Sequence, residues 1–122
     1  MAKKIDKDTI KLRDVIIEAI QEKKGNDILS IDLSKVESAV TDFFIITNAD
    51  STTQVNAIAG EIQEHTRKTL SEKVWKKEGS DNSQWILMDY GSIVVHVFQT
   101  PYREFYKIED LWADGKVTSH ES

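Results

Sequence analysis

The side chains able to do chemistry are few and scattered. The chain has three histidines, at 65, 96 and 120, and no cysteine. A metal centre needs His, Cys or carboxylate ligands at a workable spacing, and these histidines share neither a motif nor an element, so no metal is expected. Thiol chemistry, disulfides and iron–sulfur ligation fall with the absent cysteine. A hydrolytic serine would sit in Gly-x-Ser-x-Gly, which is missing; Asp89-Tyr90-Gly91-Ser92 reads as a hairpin turn. Phosphate loops ending Gly-Lys-Ser/Thr and the Gly-x-Gly-x-x-Gly fingerprint are also missing. Asn48-Ala49-Asp50-Ser51-Thr52-Thr53 could turn backbone N–H groups toward an anion, although Asp50 would oppose one, and plain helix capping explains the same residues. The acids Asp42, Glu78, Asp81, Asp89, Glu104, Glu109 and Asp110 show no spacing diagnostic of an acid–base pair. No catalytic set and no cofactor are expected. His96, within Val94-Val95-His96-Val97, reads as a hydrogen-bonded structural imidazole or a catalytic one, with no partner that sequence can name.

The elements that would position these residues follow from periodicity. Leu12, Val15, Ile16, Ala19 and Ile20 recur at helical spacing before Lys23-Lys24-Gly25. Asp27 to Leu33 alternates as a half-buried strand, and Phe43-Phe44-Ile45-Ile46-Thr47 reads as a central strand buried on both faces. Ser51 and Gln54 have the spacing of a capping box, opening a helix to about Leu70 with Val55, Ile58, Ala59 and Ile62 on one face. A weak strand near Val74-Trp75 precedes strands at Trp85–Met88 and Ile93–Phe98, joined through Tyr90-Gly91 as an antiparallel hairpin. After Pro101, a third helix is expected over Tyr102–Leu111, carrying Phe105, Ile108, Leu111 and Trp112. The fold class is therefore α/β: a mixed sheet of about five strands packed with three helices. Residues 1–122 read as one domain, ordered over 8–114 with a polar tail at 115–122; the polar stretch from Ala113 to Ser122 is expected to fray.

Aromatic residues carry more information than the polar ones. Alternation puts Trp85, Leu87 and Asp89 on one sheet face and Ile86, Met88 and Tyr90 on the other, so both faces of that strand are largely apolar. With only three helices to cover them, part of this surface, with Trp85 or Tyr90, is either core or an exposed protein-binding patch. Trp75 and Trp112, at the edges of apolar segments, read as packing residues.

Composition narrows the class further. The 16 Lys and Arg against 21 Asp and Glu give a net charge of −5 in 122 residues. Binding nucleic acid through its phosphates needs the opposite sign, so direct, sequence-specific nucleic-acid binding is not expected, whereas a basic protein partner is suited. No apolar run approaches the ~20 residues of a membrane span, and the N-terminal residues fit neither a secretion signal nor a transit peptide, which places the protein in the cytoplasm with no membrane partner.

Five ordered blocks now carry a resemblance: Thr41–Thr47; Ser51-Thr52-Thr53-Gln54-Val55-Asn56-Ala57-Ile58-Ala59; Glu78-Gly79 with Trp85-Ile86-Leu87-Met88-Asp89-Tyr90-Gly91; Val94-Val95-His96-Val97-Phe98; and Arg103–Trp112. Together they resemble the ribosomal silencing factor S (RsfS, Iojap, YbeB) family over roughly residues 8–114. The resemblance implies a nucleotidyltransferase-like fold without that activity. It also implies a translation repressor that docks on ribosomal protein number fourteen of the large ribosomal subunit and blocks subunit joining. It is compatible with a homodimer in the free state. By the same correspondence the docking surface is built on the hairpin region from Trp85, Met88, Asp89, Tyr90 and Arg103. Trp85 and Tyr90 would be apolar anchors, Asp89 would face a basic group and Arg103 would pair with an acid. Asp89 stabilising only its turn, and Arg103 pairing within the chain, are the competing readings. The family's Gly-Thr-Ser-Ser and following His are replaced here by Ala49-Asp50-Ser51-Thr52-Thr53-Gln54, so no role carries over to that turn. The alternative function is a nucleotide-binding or nucleotidyltransferase-like enzyme, suggested by the strand–turn–helix at Asp50.

Overall fold

A computed structural model describes residues 5–121. Helix α1 (Lys7–Glu22) is capped by the Asp6 side chain. It leads through Gly25 into β1 (Asn26–Asp32) and then β2 (Phe43–Ala49). Helix α2 (Thr52–Leu70) is followed by β3 (Lys76–Glu78), β4 (Trp85–Asp89) and β5 (Ile93–Gln99). Two short helices, α3 (Thr100–Tyr106) and α4 (Ile108–Leu111), precede β6 (Lys116–His120). The strands form one mixed sheet in the order β3-β4-β5-β2-β1-β6, in which only β2 and β5 run parallel.

The two faces of the sheet are covered unequally. α1 and α2 seal one face, burying Ile16, Ile20, Ile58 and Ile62 against Ile45, Ile86, Met88, Val95 and Val97. Every one of these is 6% exposed or less, so this face is the main core. The opposite face carries Ile31, Leu33, Ile46 and Phe98 under α3, α4 and the 34–42 loop, with Phe44, Trp85, Tyr102 and Trp112 only partly covered.

Four details differ from expectation. The sheet has six strands because the tail, expected to fray, pairs as β6 along the edge of β1 from Ile28↔His120 to Asp32↔Lys116. Its side chains are mostly exposed. Backbone hydrogen bonds therefore hold it rather than apolar burial, and no hydrophobic pattern marked it. Gly115 permits the approach: a Cβ there would lie 2.6 Å from Ile31 Cγ2. The third helix is broken at Lys107, whose φ of 45° ends α3, its N–H bonding the carbonyl of Arg103. An unbroken helix would turn Glu109 about 240° around the axis from Arg103, and the break brings the two together. β3 lies just beyond the expected position, and Trp75, expected to pack, is 82% exposed. Finally, only half of the capping box forms. Ser51 accepts from the Gln54 N–H at 3.1 Å, but the Gln54 side chain donates to the Lys23 carbonyl at 2.6 Å, tying α2 to the end of α1.

Candidate functional site

The five hairpin-region residues do not form one surface. Met88 is completely buried under the helices and presents nothing to a partner, correcting its assignment as a contact residue. Strand alternation is the cause, since Met88 opposes Val95, deep in the core face. Tyr90 packs on that same side, and its hydroxyl lies 2.9 Å from Thr66 Oγ1 of α2. Burial raises its phenol above the usual range. Arg103 is 8% exposed and spends its guanidinium within the chain: Nε donates to Glu109 Oε2 at 2.9 Å, and Nη1 to the Asp27 carbonyl at 2.6 Å and Asn48 Oδ1 at 2.7 Å. Only Trp85 and Asp89 reach the half-covered face.

On that face Trp85 lies in an aromatic cluster. Its ring stacks 4.8 Å from Phe98 and lies tilted 4.9 Å from Tyr106, which in turn meets Phe105 edge to face. Trp85 Nε1–H donates to His96 Nδ1 at 3.1 Å, supplying the partner that sequence could not name. Because Nδ1 accepts, the neutral ring carries its proton on Nε2, and that buried N–H has no acceptor. Burial lowers the His96 pKa to about 4, so the ring is neutral near pH 7. Asp89 Oδ1 accepts the Gly91 N–H at 2.7 Å, a turn-stabilising role its exposed remainder does not exhaust. Gly91, at φ 85°, makes the hairpin turn as expected.

Beside this cluster a groove of about 250 Å³ runs between the 34–42 loop and β4–β5, lined by Phe44, Leu87, Asp89, Val94, His96 and Trp112. Large apolar side chains stand in solvent: Val40 on the groove wall, and Phe105 and Leu111, 78% and 77% exposed, on α3 and α4. The Trp–Ile–Leu–Met–Asp alternation was the legible signal for this face. Phe105 and Leu111 were missed as surface residues because their helical spacing looks like a buried stripe.

Two other groupings arise only in three dimensions. Glu22 of α1 meets Glu61 and His65 of α2 with potential ligand atoms within 4.8 Å, but His65 already pairs with Glu18 at 3.1 Å on this exposed helix edge. At the carboxyl ends of β2 and β5, Asp50 Oδ1 accepts from Thr100 Oγ1, and Thr100 Oγ1 from Asn48 Nδ2, so the strand–turn–helix is knitted to α3 by its own side chains.

Comparison with known proteins shows the family and the fold. A family model described as "Ribosomal silencing factor during starvation" (RsfS) matches residues 6–122. The chain is 41% identical over 99 residues to the Bacillus subtilis protein named ribosomal silencing factor RsfS, covering 81% of this chain and 82% of that one. It is 30% identical over 101 residues to the mouse protein named mitochondrial assembly of ribosomal large subunit protein 1, covering 81% of this chain but 44% of the relative. A crystal structure of a Chromobacterium violaceum protein superposes with a TM-score of 0.82 at 31% identity, over 93% of each chain. The chain thus belongs to the RsfS family of ribosomal silencing factors.

Proposed function

We propose that the protein docks through its half-covered sheet face on the large ribosomal subunit, at ribosomal protein number fourteen, and represses translation by obstructing the small subunit. The carrying observation is the aromatic face itself, where Trp85, Tyr106 and Phe105 form a chain of ring contacts on the side of the sheet that carries a groove walled by exposed Val40. Large aromatic anchors around a concave centre are the usual build of an interaction hot spot, and a contiguous apolar patch is unusual on a protein without a partner. The net charge of −5 and the Asp89 carboxylate on the groove suit a basic, rRNA-associated protein. Relatives named as silencing factors, and one named for large-subunit assembly, support the same target. Occlusion needs no turnover, so inhibition scales with occupancy and the chain acts in the cytoplasm as a stoichiometric factor.

The test is sedimentation with isolated ribosomal subunits at low and near-physiological salt, with Phe105→Ala alongside. Phe105 is exposed, so this variant keeps its fold while removing an anchor. Co-sedimentation with the large subunit alone, persisting at the higher salt and weakened at least tenfold by Phe105→Ala, is the expected result. Equal binding by the variant overturns the choice of face; no binding at all overturns the target. Sedimentation equilibrium of the free chain tests the homodimer. The alternative, a nucleotide-handling enzyme, predicts a higher melting midpoint with a nucleoside triphosphate and magnesium, and no shift is expected.

A further inference from the structure

We propose that the pocket at the carboxyl ends of β2 and β5 binds a small zwitterion, a free α-amino acid. β2 and β5 are the sheet's one parallel pair. Ligands of α/β proteins characteristically sit outside the carboxyl ends of such strands, where connections diverge. Here the two ends are roofed by α3, the Lys107 break and α4, enclosing about 360 Å³, within the range of about 300–1,000 Å³ typical of small-molecule sites.

The polar groups facing this space are incompletely paired in a complementary way. Arg103 is nine-tenths buried, and its Nε and Nη1 donate to Glu109, Asp27 and Asn48, while Nη2 donates to nothing among the described residues. Glu109 gives Oε2 to Arg103, whereas its Oε1 is covered and has no donor. One guanidinium nitrogen of a firmly held arginine is thus left open to a ligand acceptor, and one covered carboxylate oxygen lacks a donor, on residues that line the same pocket. A covered carboxylate oxygen left in the state of Glu109 Oε1 is uncommon and costly. The Glu109 side chain is 21% exposed on the pocket wall.

Charge narrows the ligand class. Asp27, Glu104, Glu109 and Asp110 line the pocket against Arg103 and Lys107, so a polyphosphate meets more acid than base and is disfavoured. A simple amine makes no use of Arg103 Nη2, which it leaves to water. An α-amino acid places its carboxylate on Arg103 Nη2 and Lys107, and its ammonium among Glu109 and the neighbouring acids.

The test is a titration of the full ¹⁵N-labelled chain with each of the common L-amino acids at millimolar concentration, followed by amide shifts and thermal melts. At least one amino acid is expected to move the amides of Asp27, Thr100, Lys107 and Asp110, and to raise the melting midpoint by about 5 °C at ten times its Kd. Acetate and ethylammonium, each supplying one half of the zwitterion, should do neither. Glu109→Gln keeps an acceptor for Arg103 Nε and should weaken binding at least tenfold. The wild-type shift map needs no variant. Silence from every amino acid, shifts centred away from this pocket, an equal response to acetate or ethylammonium alone, or undiminished binding by a folded Glu109→Gln chain each overturns the proposal.

Discussion

The two faces of this sheet are made of similar residues yet are in different physical states. Under α1 and α2 the face is closed, with Ile45, Ile86, Met88, Val95 and Val97 fully buried. On the opposite face the same strands expose part of Phe44, Leu87, Val94 and Trp85, and a buried imidazole keeps an N–H without an acceptor. Two helices of 16 and 19 residues cover the first face; helices of 7 and 4 residues and a loop cover the second. Apolar burial is therefore concentrated on one side, and exposed apolar surface on the other. Neighbouring residues of a single strand, Met88 and Asp89, fall into opposite classes because the side-chain period is two.

Substitutions sharpen or break this contrast. The largest effect is expected for Met88→Ala, which empties a fully enclosed site and should cost about 2–5 kcal/mol, read as a lowered urea midpoint at unchanged slope. A loss below about 1 kcal/mol would show that the helix-covered face is not the closed core described.

Acidification should expose His96. Its folded pKa of about 4 lies below the unfolded value near 6.5, so the unfolded chain takes up the proton first. The stabilisation from keeping the ring neutral is complete above pH 6.5 and declines as the pH falls towards 4, by about 3 kcal/mol in all. Below pH 4 it falls no further. Urea unfolding at pH 7.5 and 4.5 of wild type and His96→Gln isolates this contribution, and the variant should lose correspondingly less stability on acidification. Parallel pH profiles would show that the ring is not held neutral by burial.

Trp85→Ala removes three ring contacts and strips His96 of its remaining hydrogen bond, yet Trp85 is only half-buried. A loss of about 2 kcal/mol is expected, smaller than for Met88→Ala. Its effect on large-subunit association should nevertheless exceed that of any residue on the closed face whose variant still folds. The reverse ranking in sedimentation would break the division between the faces. Asp89→Ala deletes a single turn hydrogen bond and should cost about 1 kcal/mol in a thermal melt. Any larger loss of ribosome association at full folding then reports its exposed charge.

Much of the fold could be read from sequence because its signals are local. The apolar stripes of α1 and α2, the Ser51 cap, the run Phe43–Thr47 and the Gly91 turn each depend on neighbours within a few residues. The Lys107 break was not legible: it is stabilised by the tertiary contact of Glu109 with Arg103, while the sequence shows uninterrupted helical spacing. β6 was hidden for a related reason, since its partner is backbone 88 residues earlier and its side chains face solvent. Trp75 misled because an aromatic beside a strand is usually packed, and here it stands on an exposed edge.

The candidate site divides the same way. From the sequence alone came the α/β class, the family resemblance, the lack of a catalytic motif, and the alternation that sends Trp85 and Asp89 one way and Met88 and Tyr90 the other. These are properties of composition and of period along one chain segment. The tertiary structure alone decided which of the two faces is sealed, that Trp85 holds His96, that Arg103 turns inward to Glu109 and Asn48, and that a covered Glu109 oxygen is left without a donor beside the ends of β2 and β5. Each depends on contacts between distant segments, where packing chooses which apolar surface is buried and which is left for a partner.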